Sequence, residues 1–270
     1  MASKRLTFAL IQSNLYWEEK EKNLASFTDK INSIDFECDV VILPEMFSTG
    51  FTMNTTSLGE DMNGKTMLWL KNTSESSNKI ITGSFIANIN NQYFNRLIWM
   101  RPDGTFEYYD KKHLFRMANE DDYFSAGNST FIVNLNGWKI RPLICYDLRF
   151  PVWSRNQYKI EQNMAIPDYD DLLYVANWPA VRINAWDILL KARAVENQAY
   201  CIGVNRIGED GNGRNYNGHT TAIDPKGEFI LNPVEETEGI FKIVLEHESL
   251  RKFREKFPQG LDADEFSLSD

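Results

Sequence analysis

The sequence predicts a layered α/β fold. Three observations carry that expectation. Near-continuous apolar runs of strand length recur along the chain, segments with helical spacing separate them, and hairpin signals are inserted between the repeats. Two sheets packed face to face, with helices outside, accommodate the number of strands; periodicity alone does not exclude a single wide sheet.

The elements follow in order. "LTFALIQ" is a first strand, and "WEEKEKNLASFTDKINSI" is a helix through Leu24, Phe27 and Ile31. "CDVVILPEM" has the continuous apolar character of a strand buried on both faces, and Pro44 stops it. "GKTMLWLKNTSESSN" is a second helix and "KIITGSFIANIN" the next strand. In "YFNRLIWMRPDGTFEYYDKKHLF", Pro-Asp-Gly joins two aromatic-rich runs as a hairpin. "STFIVNLNGWKIRPLICYD" repeats that plan around Asn-Gly. "DLLYVANWP" is a buried strand, and "NAWDILLKARAVENQA" a helix with Ile188, Leu189, Ala192, Val195 and Ala199 on one face. "YCIGVNRIG" is a strand, "HTTAIDPKGEFILNP" a hairpin and "GIFKIVLE" a closing strand. The tail after Pro258 has no pattern that assigns it.

Composition bounds the function. The chain has 270 residues, 43% hydrophobic and 25% charged, as a packed globular protein requires. That length suits one large domain or two small ones. A net charge of −9, spread along the chain, argues against nucleic-acid binding. The apolar run near the start is too short for a secretory signal, and no run approaches a membrane span. Cys38, Cys145 and Cys201 are odd in number and widely spaced, which suggests neither a disulfide framework nor a zinc site. A reducing cytoplasm is the expected location, with thiols free to react.

Three segments deliver ionisable side chains at strand ends, where α/β sheets collect ligands. Glu45 follows one strand in "VVILPEMF", Lys111 and Lys112 follow another in "EYYDKKHLF", and Cys145 ends a third in "IRPLICYD". Singly, each has an ordinary reading: core packing for the cysteine, a solvated loop for the glutamate, a wet surface for the lysines. Neighbouring parallel strands would bring the three together. A carboxylate then takes the thiol proton, an ammonium favours the thiolate and later an oxyanion, and the Tyr146 N–H turns toward the same oxyanion. A thiol–histidine pair using His113 or His219 is the rival arrangement, without a local motif to mark it. No His/Cys cluster has metal-ligand spacing.

"LPEMFSTGF", "YDKKHLF" and "ICYDLRFP" resemble the three signature segments of the nitrilase, or carbon–nitrogen hydrolase, superfamily, in a match running from "FALIQSNLYWEEKEKNL" to "GIFKIVLE". The resemblance implies one domain over residues 1–270, an αββα four-layer sandwich, and a homodimer that stacks two protomers. It implies a catalytic triad of Glu45, Lys111 and Cys145; Lys111 is chosen because it lies two residues before the histidine. A second glutamate is implied as well, and Glu120 in "ANEDDYFSAG" fits its place, with Asp121 as the fallback. The segment from "NWPAVRINAWD" to "NYNGHT", "DLRFPVWSRN" and the tail "FPQGLDADEF" resemble the bacterial members of the omega-amidase, or 2-oxoglutaramate amidase, branch.

That branch implies hydrolysis of a short dicarboxylate monoamide through a cysteine thioester, with no metal or organic cofactor. The substrate's free carboxylate calls for a cationic partner. Arg116, Arg149, Arg182 and Arg206 are the candidates, with Phe115, Tyr146, Asn177 and Trp178 as pocket walls. Arg149 also reads as a buried ion-pair partner of Asp147 or an inner glutamate. A carbamoyl amidohydrolase, a deaminated-glutathione amidase, a nitrilase of the same superfamily and a non-catalytic binding scaffold are the competing readings.

Overall fold

The computed structural model describes residues 5–268. The first half runs β1 (Arg5–Gln12), α1 (Lys20–Asn32), β2 (Val40–Ile42), the one-turn α2 (Thr55–Leu58), α3 (Lys65–Ser77), β3 (Ile80–Ile89), β4 (Gln92–Met100), β5 (Phe106–Asp110) and the one-turn α4 (Glu120–Tyr123). The second half runs β6 (Val133–Leu135), β7 (Trp138–Ile144), the one-turn α5 (Pro151–Ser154), β8 (Tyr158–Glu161), β9 (Met164–Pro167), β10 (Asp171–Val175) and α6 (Ile183–Asn197). It closes with β11 (Tyr200–Val204), β12 (Ile207–Glu209), β13 (Asn215–Ile223), β14 (Phe229–Glu235), β15 (Gly239–Glu246) and α7 (His247–Lys256).

Two large sheets form. One has the order β15-β1-β2-β3-β4-β5; the other has the order β12-β13-β11-β10-β7-β6, with β14 paired to β13. β1, β2 and β3 are mutually parallel, as are β7, β10 and β11. Alternation along β1 shows how the layers arise. Leu6, Phe8 and Leu10 join residues of the second sheet in one core, while Ala9 and Ile11 pack with Leu24, Phe27 and Ile31 of α1 and Met67 and Leu70 of α3. On the far side α6 lays Trp186 and Leu190 into the core shared by the sheets. Gly203 of β11 makes that approach possible, because a Cβ there would lie 2.5 Å from Leu190 Cδ1 and 2.6 Å from Trp186 Cζ2. Helices, two sheets and a helix therefore stack as four layers, which decides against one wide sheet.

One expected helix face is wrong. Ile188 and Val195 are 58% and 45% exposed, and α6 buries Trp186, Leu190, Arg193, Ala194 and Asn197 instead. The helix carries apolar residues on both sides, so spacing alone could not choose between them. Besides the one-turn helices α2, α4 and α5, the β8–β9 hairpin and α7 have no counterpart in the sequence reading. The β8–β9 hairpin turns through Gln162 (φ 49°) and Asn163 (φ 62°), a left-handed pair without the glycine that usually signals such a turn. α7 has few apolar positions, but Leu250 enters the core and Arg254 pairs with Asp170 at 2.7 Å.

Candidate active site

Glu45, Lys111 and Cys145, each just past the carboxyl end of its strand, meet Glu120, the first residue of α4. The route differs from the neighbouring parallel strands expected. β3 and β4 separate β2 from β5, and Cys145 follows β7 of the other sheet. The long lysine side chain spans the gap, and the packed sheets bring the cysteine over it.

Lys111 Nζ lies 2.9 Å from Glu45 Oε1 and 3.0 Å from both carboxylate oxygens of Glu120. All three side chains are at most 1% exposed. Glu120 is fixed further by the Phe115 N–H, 2.6 Å from its Oε2. Glu45 accepts the Asn177 N–H at Oε2 (2.8 Å) and the Asn95 side-chain amide at Oε1 (2.8 Å). Glu45 lies beside the Cys145 thiol and acts on it electrostatically.

Left-handed backbone adjoins these groups: Met46 follows Glu45 at φ 43°, Asn119 precedes Glu120 at φ 55°, and Cys145 itself has φ 43°. Asparagine tolerates that region; a cysteine there is uncommon and marks a sharp elbow at the strand end. Cys145 opens the 3₁₀ turn Cys145–Arg149, so the Tyr146 N–H in that first turn has no acceptor within the helix.

The electrostatics of the cluster are mutual. Burial pushes the Cys145 thiol well above its ordinary range, and nearby Glu45 adds to the rise. Burial works against the Lys111 ammonium, but Glu120, Glu45 and Cys145 together outweigh it and raise its pKa. Burial also raises Glu120, with Lys111 opposing. The resting state thus holds a protonated thiol beside a firmly charged ammonium.

Above the cluster lies a cavity of about 90 Å³ whose lining includes Lys111, Cys145, Phe115, Tyr146, Asn177 and Trp178. Arg149 joins them, its guanidinium 4.9 Å from the Trp178 ring, and it makes no ion pair with Asp147 or an inner glutamate among the described residues. Asp147 instead binds Tyr109 Oη at 2.8 Å and the His113 N–H at 3.0 Å. Arg182 also lines the cavity, 5.3 Å from the Phe115 ring.

Two expected substrate arginines lie elsewhere. Arg116 does not line the cavity; its side chain is 86% exposed and sits 3.5 Å from Asp121. Arg206 is fully buried over the Tyr216 ring at 4.6 Å and donates to Asn14 Oδ1 and to the Ile207 and Glu209 carbonyls. Burial draws its guanidinium down to about 10. Arg214, Tyr216, Phe51, Met117 and Pro179 line the cavity without any signal in the sequence that singles them out. The rival histidines face away: His113 Nδ1 is 2.8 Å from Asp147 and His219 Nδ1 is 3.0 Å from Asp187, and neither lines the cavity.

The family model for carbon-nitrogen hydrolases matches residues 7–255. The chain is 44% identical over 265 residues to omega-amidase YafV of Escherichia coli K12, covering 97% of this chain and 98% of that protein. It is 30% identical to the 2-oxoglutaramate amidase of Bacillus subtilis 168, covering 93% and 95%. Among solved structures, a CN-hydrolase superfamily protein from Xanthomonas campestris, with an arsenic adduct in its active site, superposes with a TM-score of 0.95. That protein is 38% identical, and the match covers 99% of this chain and 100% of that one. With its four-layer fold and this match over nearly its whole length, the chain belongs to the carbon–nitrogen hydrolase family, within the nitrilase superfamily.

Proposed function

We propose that this enzyme is an omega-amidase, hydrolysing the amide of 2-oxoglutaramate and of succinamate-like monoamides to the dicarboxylate and ammonia. One observation carries the reading: a single small cavity is lined by the Cys145 thiol and the Lys111 ammonium and also by Arg149, Arg182 and Arg214. These arginines have no acidic partner among the described residues. Unpaired guanidinium groups suit a substrate that brings its own carboxylate. The size of the cavity favours a short molecule, and the similarity to the omega-amidases points the same way.

The chemistry follows from the geometry. Cys145 attacks the amide carbonyl as Glu45 takes its proton, which forms the sulfur–carbon bond. Lys111 and the Tyr146 N–H stabilise the oxyanion. The carbon–nitrogen bond breaks, and ammonia departs with the proton held by Glu45. Glu45 then activates a water that opens the thioester, releasing the acid and restoring the thiol. Glu120 holds Lys111 in place with both oxygens.

Val181, Ile188 and Val195 form an exposed apolar row seven residues apart along α6 and the turn before it. They support a homodimer that covers this row. The three free cysteines accord with a reducing cytoplasm.

The test is an ammonia-release screen over small monoamides with Cys145→Ala as the blank. Ammonia from 2-oxoglutaramate, absent in the variant, supports the proposal. Activity confined to carbamoyl compounds, with carbon dioxide released, would replace it.

A further inference from the structure

Asn95 belongs to β4, the strand beside the β5 edge of the first sheet, and is 1% exposed. Its carbonyl accepts the Lys111 N–H at 3.0 Å, extending the β4–β5 ladder by one residue beyond the Arg96–Asp110 pair. Its side chain turns to the same cluster. Nδ2 lies 2.8 Å from Glu45 Oε1 and 3.5 Å from Glu120 Oε1. These are the oxygens that Lys111 Nζ also touches, at 2.9 and 3.0 Å.

The amide is oriented by the carboxylates. Both Nδ2 hydrogens face acceptors, while Oδ1 is buried with no partner among the described residues. A flipped amide would place an acceptor against two carboxylates, so the structure keeps an unsatisfied oxygen in order to present two donors. An aspartate there would crowd three carboxylates around one ammonium; a lysine would add a second buried cation. Asparagine supplies donors without changing the charge.

We infer that Asn95 is a positioning residue that holds Glu45 and Glu120 on either side of Lys111 and directs which oxygen of Glu45 receives the thiol proton. Glu45 Oε1 is filled by Lys111 and Asn95, whereas Oε2 has one protein donor among these contacts, the Asn177 N–H. The proton from Cys145 therefore goes to Oε2. Donors to an ionised carboxylate favour its charged form, so loss of Asn95 makes the cluster take up a proton more readily. The acid limb of the enzyme's pH profile then moves to higher pH.

This inference rests on the amidase reading, and its experiment separates the two. Alkylation of Cys145 by iodoacetamide is followed from about pH 5 to 9, roughly the range in which a carboxylate–thiol pair titrates, in the native enzyme, Asn95→Leu and Asn95→Asp. It needs no substrate, so it reports on the cluster even if no tested amide is hydrolysed. The expected result is an acid limb displaced upward by about one pH unit or more in both variants, with Asn95→Asp the more affected. Ammonia-release kinetics should show kcat falling about 10- to 100-fold with KM changed far less. Asn95→Asp keeps the size of the side chain, so it remains informative if Asn95→Leu does not fold. Profiles that superimpose on the native one in a folded variant, with only the melting temperature altered, would assign Asn95 to packing alone and overturn the inference.

Discussion

Asn177 grips Glu45 at two points, its N–H 2.8 Å from the carboxylate and its side-chain amide 2.5 Å from the backbone carbonyl. The two residues follow β10 of one sheet and β2 of the other, so this clamp ties the sheets together at the site. A carboxylate held by Lys111, Asn95 and Asn177 has little rotational freedom, which is the preorganisation that proton transfer from Cys145 needs.

Replacing the ammonium should be severe. Lys111→Met removes the proposed oxyanion donor and leaves two buried carboxylates facing each other. Loss of one such donor costs on the order of 100- to 1000-fold in kcat. Single-turnover ammonia release measures it, and native-like turnover would remove Lys111 from this role.

The arginines should separate charged from neutral substrates. Arg149→Gln, Arg182→Gln and Arg214→Gln each remove a guanidinium from the cavity wall. A charge-assisted hydrogen bond is worth about 1.5–3 kcal/mol, or roughly 10- to 150-fold. At least one variant should lose that much kcat/KM toward a carboxylate-bearing monoamide while a neutral amide of similar length is unaffected. Equal losses on both substrates in all three would argue against carboxylate recognition.

Asp171 should make stability depend on pH. It is fully buried in β10 with neither carboxylate oxygen hydrogen-bonded among the described residues, and burial, aided by Asp170, lifts its pKa well above the usual range. Below the unfolded value of about 3.9 the group is protonated in both states and has no effect. As pH rises past that value the unfolded chain ionises and the folded one does not, so stability is lost by up to about 1.4 kcal/mol per pH unit until the folded pKa is reached. Asp171→Asn should therefore melt like the native protein near pH 4 and higher than it at pH 7. Urea midpoints at both pH values check the sign.

The apolar row on α6 should govern assembly. Ile188→Lys places a charge among Val181, Ile188 and Val195, which are 86%, 58% and 45% exposed. Sedimentation should show a dimer for the native protein and a monomer for the variant, with circular dichroism unchanged because the opposite face of α6 makes the core. A native monomer would end the dimer proposal.

The sequence by itself determined the strands that end in Glu45, Lys111 and Cys145, because residue type, proline stops and period-two patterning are local properties. The three matching segments also carried the resemblance to the family, and that resemblance pointed to Glu120 in "ANEDDYFSAG". Tertiary structure alone decided the rest. Which face of α6 is buried depended on Gly203 lying opposite Leu190 and Trp186. Arg206 and Arg116 were indistinguishable from Arg149 and Arg214 as letters; one stacks on Tyr216 in the interior, one stands in solvent and two line the cavity. Asn95 carried no motif at all, yet it touches two carboxylates 50 and 25 residues away. Contacts over such separations are set by strand order and sheet packing, and no local pattern encodes them.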